Sequence, residues 1–204
     1  MPAYHHGNLR SALVATAVEL AAAHGPDGVV LREVARRTGV SHNAAYRHFA
    51  DRDELLAEVA RTGMTRLGEA MRTELSAVDV HEPAERAVAR LRATGRAYVH
   101  FALAQPGLFD VAFAAPLGPQ SGLTKDTATP DDPYALLGGA LDDLVRTGSV
   151  TPARRTGAEA LCWSAVHGFA VLHLRGPLRV VPEADRDASL ELLLDHIERG
   201  LLQS

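Results

Sequence analysis

Residues 31–49 read LREVARRTGVSHNAAYRHF, two short helical patterns separated by a glycine. Ala35 is small where two helices would cross, and Gly39 can adopt the left-handed conformation that residues with a Cβ disfavour. Four apolar residues would hold the second helix against the first, namely Val34, Val40, Ala45 and Phe49. The spacing is typical of a helix-turn-helix, although a plain helical hairpin with solvated Arg and His side chains has the same pattern.

The second helix of a helix-turn-helix lies in the major groove of DNA, with its first turn against the base edges. Ser41 is expected to cap this helix. We predict base reading by His42 and Asn43, since Asn can bond adenine through both its donor and its acceptor. Arg32, at the start of the preceding helix, could reach a guanine or a phosphate. Phosphate contacts are predicted for Ser41, Tyr46, Arg47, His48 and Arg52.

The whole chain is predicted to be all-α. Apolar residues recur at three- and four-residue spacing, and three helix starts carry a proline behind a polar residue. We expect helices over about 9–24, 31–38, 41–49, 51–78, 83–105, 106–114, 133–147, 152–175 and 184–202, with a loop over 115–130. The natural division is a small N-terminal helical unit and a larger helical body.

Composition excludes several classes of protein. The 204 residues are 47% hydrophobic and 23% charged, and no apolar run approaches the ~18 residues that a membrane span needs. The single Cys162 cannot form an intramolecular disulfide, and no secretory signal is evident, so the cytoplasm is the expected location. Residues 1–49 carry five Arg against three acids, within a net charge of −4. Any contact with DNA must therefore come from the N-terminal part.

Residues 9–61 resemble the DNA-binding domain of the tetracycline-repressor (TetR) family. The resemblance rests on the run Gly39-Val-Ser-x-x-Ala-x-Tyr46-Arg-His-Phe49-x-Asp-Arg52-x-Glu-Leu-Leu56. The family usually has Lys at the position of Arg52, and either cation can contact phosphate. His42-Asn43-Ala44 lies in the variable part of the recognition helix, so no operator sequence can be transferred to this chain.

The C-terminal body resembles one subgroup of this family. The similar segments are Trp163-Ser-Ala-Val-His167-Gly168, Tyr4-His-His-Gly-Asn-Leu-Arg10, and Arg96-Ala-Tyr98-Val-x-Phe101-Ala with Gln105-Pro-Gly-Leu-Phe109. The resemblance implies a helix-turn-helix DNA-binding domain over 1–60 and an effector-binding and dimerisation domain over 61–204. It further implies a homodimeric regulator, expected to be a repressor that a small-molecule effector releases from a palindromic double-stranded DNA operator.

The aromatic residues after position 50 would line either a filled core or a ligand cavity. The residues predicted for an effector pocket are Tyr98, Phe101, Phe109, Phe113, Trp163 and His167, although His167 could equally be a core histidine. The last two long helices offer apolar and small residues for a four-helix interface between two copies. This dimer face is predicted to contain Leu161, Ala165, Gly168, Leu190, Leu194, Ile197 and Leu201.

An enzyme is disfavoured because the spacings that catalysis uses are missing. The chain has no HExxH, no nucleophile elbow and no glycine-rich phosphate loop. We therefore expect no catalytic residue, no metal and no cofactor. The remaining alternative is a dimeric helical interaction protein that does not bind DNA, and failure to shift any genomic fragment in a gel would favour it.

Overall fold

The structure is a computed structural model that describes residues 6–114 and 132–202. Every regular element in these two ranges is helical, which confirms the all-α prediction. The helices, with two short 3₁₀ turns at Pro26–Gly28 and Pro177–Val180, are α1 (His6–His24), α2 (Leu31–Thr38), α3 (His42–Tyr46), α4 (Arg52–Ser76), α5 (Pro83–Ala104), α6 (Pro106–Ala114), α7 (Pro133–Arg146), α8 (Pro152–Arg155), α9 (Ala158–Leu174) and α10 (Glu183–Leu202).

The predicted helix over 152–175 is wrong in one respect, because the structure divides it into α8 and α9. Thr156 is extended and Gly157 has a φ of 77°, in the left-handed region that a side chain would disfavour. This pair separates the end of α8 from the start of α9. The loop predicted over 115–130 lies outside the described residues, as do Tyr4 and His5 of the segment that resembles the start of the family's members.

The first compact unit contains α1 to α3, α4 as far as Met64, and α6. The sequence prediction placed α6 in the larger domain, whereas it packs here against α1. A Cβ at Gly107 would lie only 2.1 Å from the carbonyl oxygen of Ala21, so glycine is what permits this close approach. Phe109 of α6 is fully buried. Because α6 is buried against α1, it belongs to the first unit although it follows α5 in the sequence.

The second compact unit contains the rest of α4 with α5 and α7 to α10. Helix α5 packs against α7, α9 and α10 and forms the centre of this unit. Its buried core comprises Ala87, Leu91, Leu137, Leu141, Leu144, Val150, Ala158, Cys162 and Leu201. None of the described helices has the length and apolar character needed to cross a membrane.

Candidate nucleic-acid interface and ligand cavity

Helices α2 and α3 meet with the geometry of a helix-turn-helix, as predicted. Gly39 has a φ of 76°, and its N–H donates to the carbonyls of the last turn of α2. Ser41 caps α3, since its Oγ accepts a 3.2 Å hydrogen bond from the backbone N–H of Ala44. Val34 and Phe49 are completely buried. The apolar contacts therefore fix the direction in which the outer side of α3 points.

The outer side of α3 is exposed, and it carries most of the residues predicted to contact DNA. His42, Asn43, Tyr46 and Arg47 are all exposed. The rings of His42 and Tyr46 meet edge to face at 4.5 Å between centroids, so one predicted base contact lies beside one predicted phosphate contact. Arg32 is exposed at the start of α2. This surface offers donors and acceptors of the kinds that DNA recognition needs.

Two further predicted phosphate contacts lie beside this surface. Ser41 is exposed, and because its Oγ accepts the capping bond, the hydroxyl hydrogen can still be donated. His48 is half-buried in the turn after α3. Both positions are compatible with a phosphate contact.

Arg52, also predicted to contact phosphate, has contacts within the fold. Its Nε donates to the carbonyl of Val29 at 2.8 Å, and a terminal nitrogen donates to the carbonyl of Pro26 at 2.6 Å. These bonds fasten the start of α4 to the turn that follows α1. Two nitrogens of the guanidinium are therefore engaged by backbone carbonyls of the fold.

Sequence reasoning missed a charged group on α2. The Glu33 carboxylate accepts hydrogen bonds from Arg36 at 2.7 Å and from Arg37 at 2.8 Å. These bonds, those from Arg36 first, lower the pKa of Glu33 to about 2. The three- and four-residue spacing is the sequence signal that could have revealed it. The group holds two guanidinium groups in fixed positions on the exposed side of α2.

A cavity lies in the second unit between α5, α7, α9, α10 and the end of α4. It contains about 460 Å³ of empty space, a volume that includes its open mouth. The wall is mainly apolar and aromatic, and it consists of Met71, Leu91, Arg92, Thr94, Gly95, Tyr98, Pro133, Leu137, Cys162, Trp163, Val166, Leu194 and Ile197.

The structure divides the six aromatic and histidine residues predicted for the effector pocket. Tyr98 and Trp163 line the cavity, with their rings edge to face at 5.7 Å. Phe101 is buried in α5 but does not line the cavity. Phe109 and Phe113 contact each other on α6, in the first unit. Phe109 and Phe113 therefore belong to the first unit, where Phe109 is fully buried and Phe113 is half-buried.

His167, the sixth predicted pocket residue, lies behind the cavity wall. Its Nδ1 is 2.8 Å from the Tyr98 hydroxyl. Burial, with a smaller effect from the positive charge of Arg175, lowers the pKa of His167 below its ordinary value. Burial also raises the pKa of Tyr98 well above that of a solvated phenol. Both groups are consequently neutral near pH 7, and a hydrogen bond between uncharged side chains joins Tyr98 to His167.

The polar groups of the cavity wall are already paired with protein groups. The Thr94 hydroxyl donates to the carbonyl of Leu91 at 2.7 Å. Arg92 donates to the carboxylates of Glu191 at 2.9 Å and Glu198 at 2.8 Å. Burial is the main cause that raises the pKa of Cys162 to about 11, so its thiol stays protonated. The wall consequently presents an essentially neutral surface to a ligand.

Part of the predicted dimer face is exposed apolar surface, and part is core. Leu161 is 55% exposed on α9, and Ala165 and Gly168 continue the same stripe at helical spacing. The stripe extends to the exposed Leu172, and α10 adds the exposed Leu192, neither of which sequence reasoning identified. A Cβ at Gly168 would meet no atom within 4 Å.

The leucines predicted for the dimer face on α10 point into their own subunit. Leu190, Leu194 and Leu201 are between 1% and 4% exposed, and Ile197 lines the cavity. A Cβ at Gly95 would lie 2.6 Å from Leu194, so α5 and α10 approach closely there. These four residues are accounted for by the core, because the apolar side of α10 is already covered by α5.

Two family profiles match the chain. Residues 13–59 match "Bacterial regulatory proteins, tetR family", and residues 91–197 match "Tetracyclin repressor-like, C-terminal domain". The second match alone covers more than half of the chain. The chain belongs to the TetR family. No curated protein matches the chain closely enough to count as a relative.

Solved structures of TetR-like fold resemble the whole chain. A protein of unknown function from Rhodococcus sp. RHA1 is 30% identical, with a TM-score of 0.76 and coverage of 100% of both chains. A TetR-family transcriptional regulator from Pectobacterium atrosepticum is 21% identical, with a TM-score of 0.63 over 98% of this chain and 96% of its own. A TetR variant from Acinetobacter baumannii AYE, in complex with minocycline, is 18% identical, with a TM-score of 0.62 over 99% and 100%.

Membership of the TetR family makes this chain a DNA-binding transcriptional regulator with an N-terminal helix-turn-helix. The family consists of regulators rather than enzymes. Repression, dimerisation and release by a small effector are typical of TetR regulators.

Proposed function

We propose that this TetR-family chain is a homodimeric repressor, acting in the cytoplasm, that leaves a palindromic operator when a small molecule binds. The observation that carries the proposal is the exposed outer side of α3, where His42, Asn43, Tyr46 and Arg47 are presented together. A DNA-free interaction protein would have no need of such a surface beside a helix-turn-helix.

Base reading is proposed for His42, Asn43 and Arg32, and phosphate contacts for Ser41, Tyr46, Arg47 and His48. The exposure of the first turn of α3 supports this division, because an α-helix docked in the major groove presents its first turn to the base edges. Arg52 is assigned instead to holding α4 against the turn after α1. A phosphate contact makes operator binding depend on salt concentration, whereas a contact within the fold does not. Measurements at several salt concentrations therefore separate these two roles.

A second copy of the chain is the proposed partner of the exposed face of α9 and α10. Leu161, Leu172 and Leu192 are three of the large apolar residues that this protomer leaves exposed, and Ala165 and Gly168 lie between the first two. The small residues allow a helix of the second copy to approach closely. A two-fold dimer that buries this face would also relate the two recognition helices by the same axis.

The cavity of the second unit is the proposed effector site. Its wall is largely apolar, with Tyr98 and Trp163 as aromatic members. The similarity in fold to the Acinetobacter baumannii TetR variant in complex with minocycline supports the idea that such a unit can hold a small molecule.

Selection of bound sequences from random double-stranded DNA tests the proposal. We expect an inverted repeat whose half-sites are centred about one helical turn apart, ~34–36 Å. An Asn43→Ala protein provides the matched control, since it should lose the selected sequence while remaining folded and dimeric. Selected sites without two-fold symmetry, or no enrichment at all, would contradict a dimeric operator-binding repressor.

A further inference from the structure

Two residues of α9 converge on one hydroxyl of α5. Trp163 and His167 are four residues apart, one helical turn, and both contact the side chain of Tyr98. The Trp163 side chain hydrogen-bonds the Tyr98 hydroxyl, which in turn lies 2.8 Å from His167 Nδ1. The Tyr98 hydroxyl is thus the polar link between α5 and this side of α9.

This link lies between the cavity and the exposed face of α9. Tyr98 and Trp163 form part of the cavity wall, and His167 is on the flank of α9 that leads to Gly168. At about 100° per residue, His167 falls between the buried side of Val166 and the stripe of the exposed Leu161 and the half-buried Gly168. A displacement of the Tyr98 ring would therefore act on α9 directly.

We propose that Tyr98, Trp163 and His167 form a sensor that couples occupation of the cavity by a neutral, mainly aromatic ligand to the exposed face of α9. The inference rests on the proposed function, because it assumes that the cavity is the effector site and that this face holds the second copy. Tyr98 and Trp163 touch the ligand, whereas His167 is a positioning residue that acts through the Tyr98 hydroxyl.

The chemistry of the cavity wall sets the class of ligand. The hydrogen-bonding groups of Thr94, Arg92 and Tyr98 already have protein partners, and the Cys162 thiol is protonated. A charged ligand would lose its hydration without gaining an unpaired partner on this wall. Two aromatic rings favour instead a ligand with a flat apolar face.

Coupling needs a difference in ligand affinity between two arrangements of the protein. A ligand that moves the Tyr98 ring breaks the bond to His167 Nδ1 and so favours an arrangement of α9 in which that bond is absent. Removing only the hydroxyl leaves the aromatic wall in place. The Tyr98→Phe variant should therefore still bind the ligand but transmit little to α9.

The test uses the full-length dimer, its selected operator, and N-phenyl-1-naphthylamine as a neutral aromatic probe. Binding is followed by energy transfer from Trp163, the single tryptophan of the chain. We expect saturating probe to weaken operator binding at least tenfold in the parent and less than threefold in Tyr98→Phe. The probe is added at a concentration that saturates each protein, so a difference in probe affinity does not enter the comparison.

Matched variants separate the sensor from general packing. Tyr134→Phe removes a hydroxyl from the other tyrosine that packs on Trp163, at 5.9 Å, and should leave the response unchanged. His167→Asn places an acceptor near the position of Nδ1 and should retain the response, whereas His167→Leu should lose it. In ¹⁵N-histidine spectra of the parent, the probe should shift the Nδ1 resonance of His167.

Two kinds of failure are distinguishable. If the parent binds its operator but the probe does not bind, or binds without weakening operator binding, the inference is overturned while DNA binding stands. An equal response in Tyr98→Phe and the parent also overturns it. If the parent binds no operator sequence, the proposed function itself fails, and the inference fails with it.

Discussion

Replacing Arg52 by Ala should destabilise the N-terminal unit without removing a DNA contact. The guanidinium donates to the carbonyls of Val29 and Pro26, and Val29 is completely buried. A hydrogen bond from a charged group contributes about 1.5–3 kcal/mol when it is sheltered from water. Since 41% of the Arg52 side chain is exposed to competing water, we discount both bonds below this range and expect a loss of about 2 kcal/mol for the two together.

The measurement is urea unfolding followed by circular dichroism at fixed protein concentration. The fluorescence of Trp163 would not report on this unit, because Trp163 lies in the other one. Hydrogen exchange of the α1 to α3 amides should therefore be added to locate the loss of stability. Arg52→Lys should fall between Ala and the parent, because one ammonium cannot reproduce the two-pronged contact of a guanidinium.

The dependence of operator binding on salt separates this role from a phosphate contact. Each phosphate contact contributes about 0.9 to the slope of log K against log salt concentration. Arg52→Ala should leave that slope unchanged, whereas the matched variant Arg47→Ala should lower it by about 0.9 per subunit and leave stability within about 0.5 kcal/mol. A normal unfolding curve together with a reduced slope for Arg52→Ala would refute the reasoning and restore the phosphate role.

Three further outcomes are expected. Asn43→Ala should cost about 1–3 kcal/mol on the operator and little on random DNA, while Tyr46→Phe should weaken both; equal losses for Asn43→Ala in gel shifts would exclude it from base reading. Leu172→Arg should give folded monomers in sedimentation, because a charge in a desolvated interface is costly, whereas Leu194→Arg should unfold the subunit; a dimeric Leu172→Arg would place the interface elsewhere. The free energy of unfolding should fall as the pH drops below about 6.5, because the pKa of His167 is lowered in the folded protein and the unfolded chain therefore binds more protons. Urea unfolding curves at two pH values should show a smaller fall in His167→Asn than in the parent.

The helix-turn-helix could be predicted because its determinants are local. A left-handed glycine at Gly39, a cap at Ser41 and apolar residues three or four positions apart act within one or two turns. Asp51 and Glu54 mark the start of α4 in the same way, and Asp51 Oδ1 accepts a 2.8 Å hydrogen bond from the Glu54 backbone. Short-range interactions of this kind leave a pattern in the sequence that can be compared with known geometry.

The role of Arg52 could not be predicted because its partners are backbone carbonyls. Every residue has a carbonyl, so nothing in the sequence marks Val29 or Pro26 as an acceptor for a side chain more than twenty positions away. An Arg close to a recognition helix is compatible with both a phosphate contact and a contact within the fold. Only the positions of the main chain distinguish the two.

The side of α10 that is buried within the protomer could not be predicted, for a different reason. Leu190, Leu192 and Leu194 are close in sequence, yet the first and third are buried and the second is 56% exposed. Leucines therefore occur around much of the helix, and the apolar pattern does not show which side meets α5. The close approach at Gly95 decides it, and that contact joins residues about a hundred positions apart.

The Trp163-x-x-x-His167-Gly168 segment shows how one short pattern can serve two surfaces. Its Trp and His lie on one side of α9 and contact the Tyr98 side chain, whereas its Gly is half-buried in the stripe between the exposed Leu161 and Leu172. A Cβ at Gly168 would meet no atom of the described chain, so packing within the protomer does not require glycine there. Close packing of a helix from a second copy would require glycine at this position. Since His167 and Gly168 are adjacent, a shift of α9 at the Tyr98 hydroxyl cannot occur without moving the surface proposed to contact the second copy.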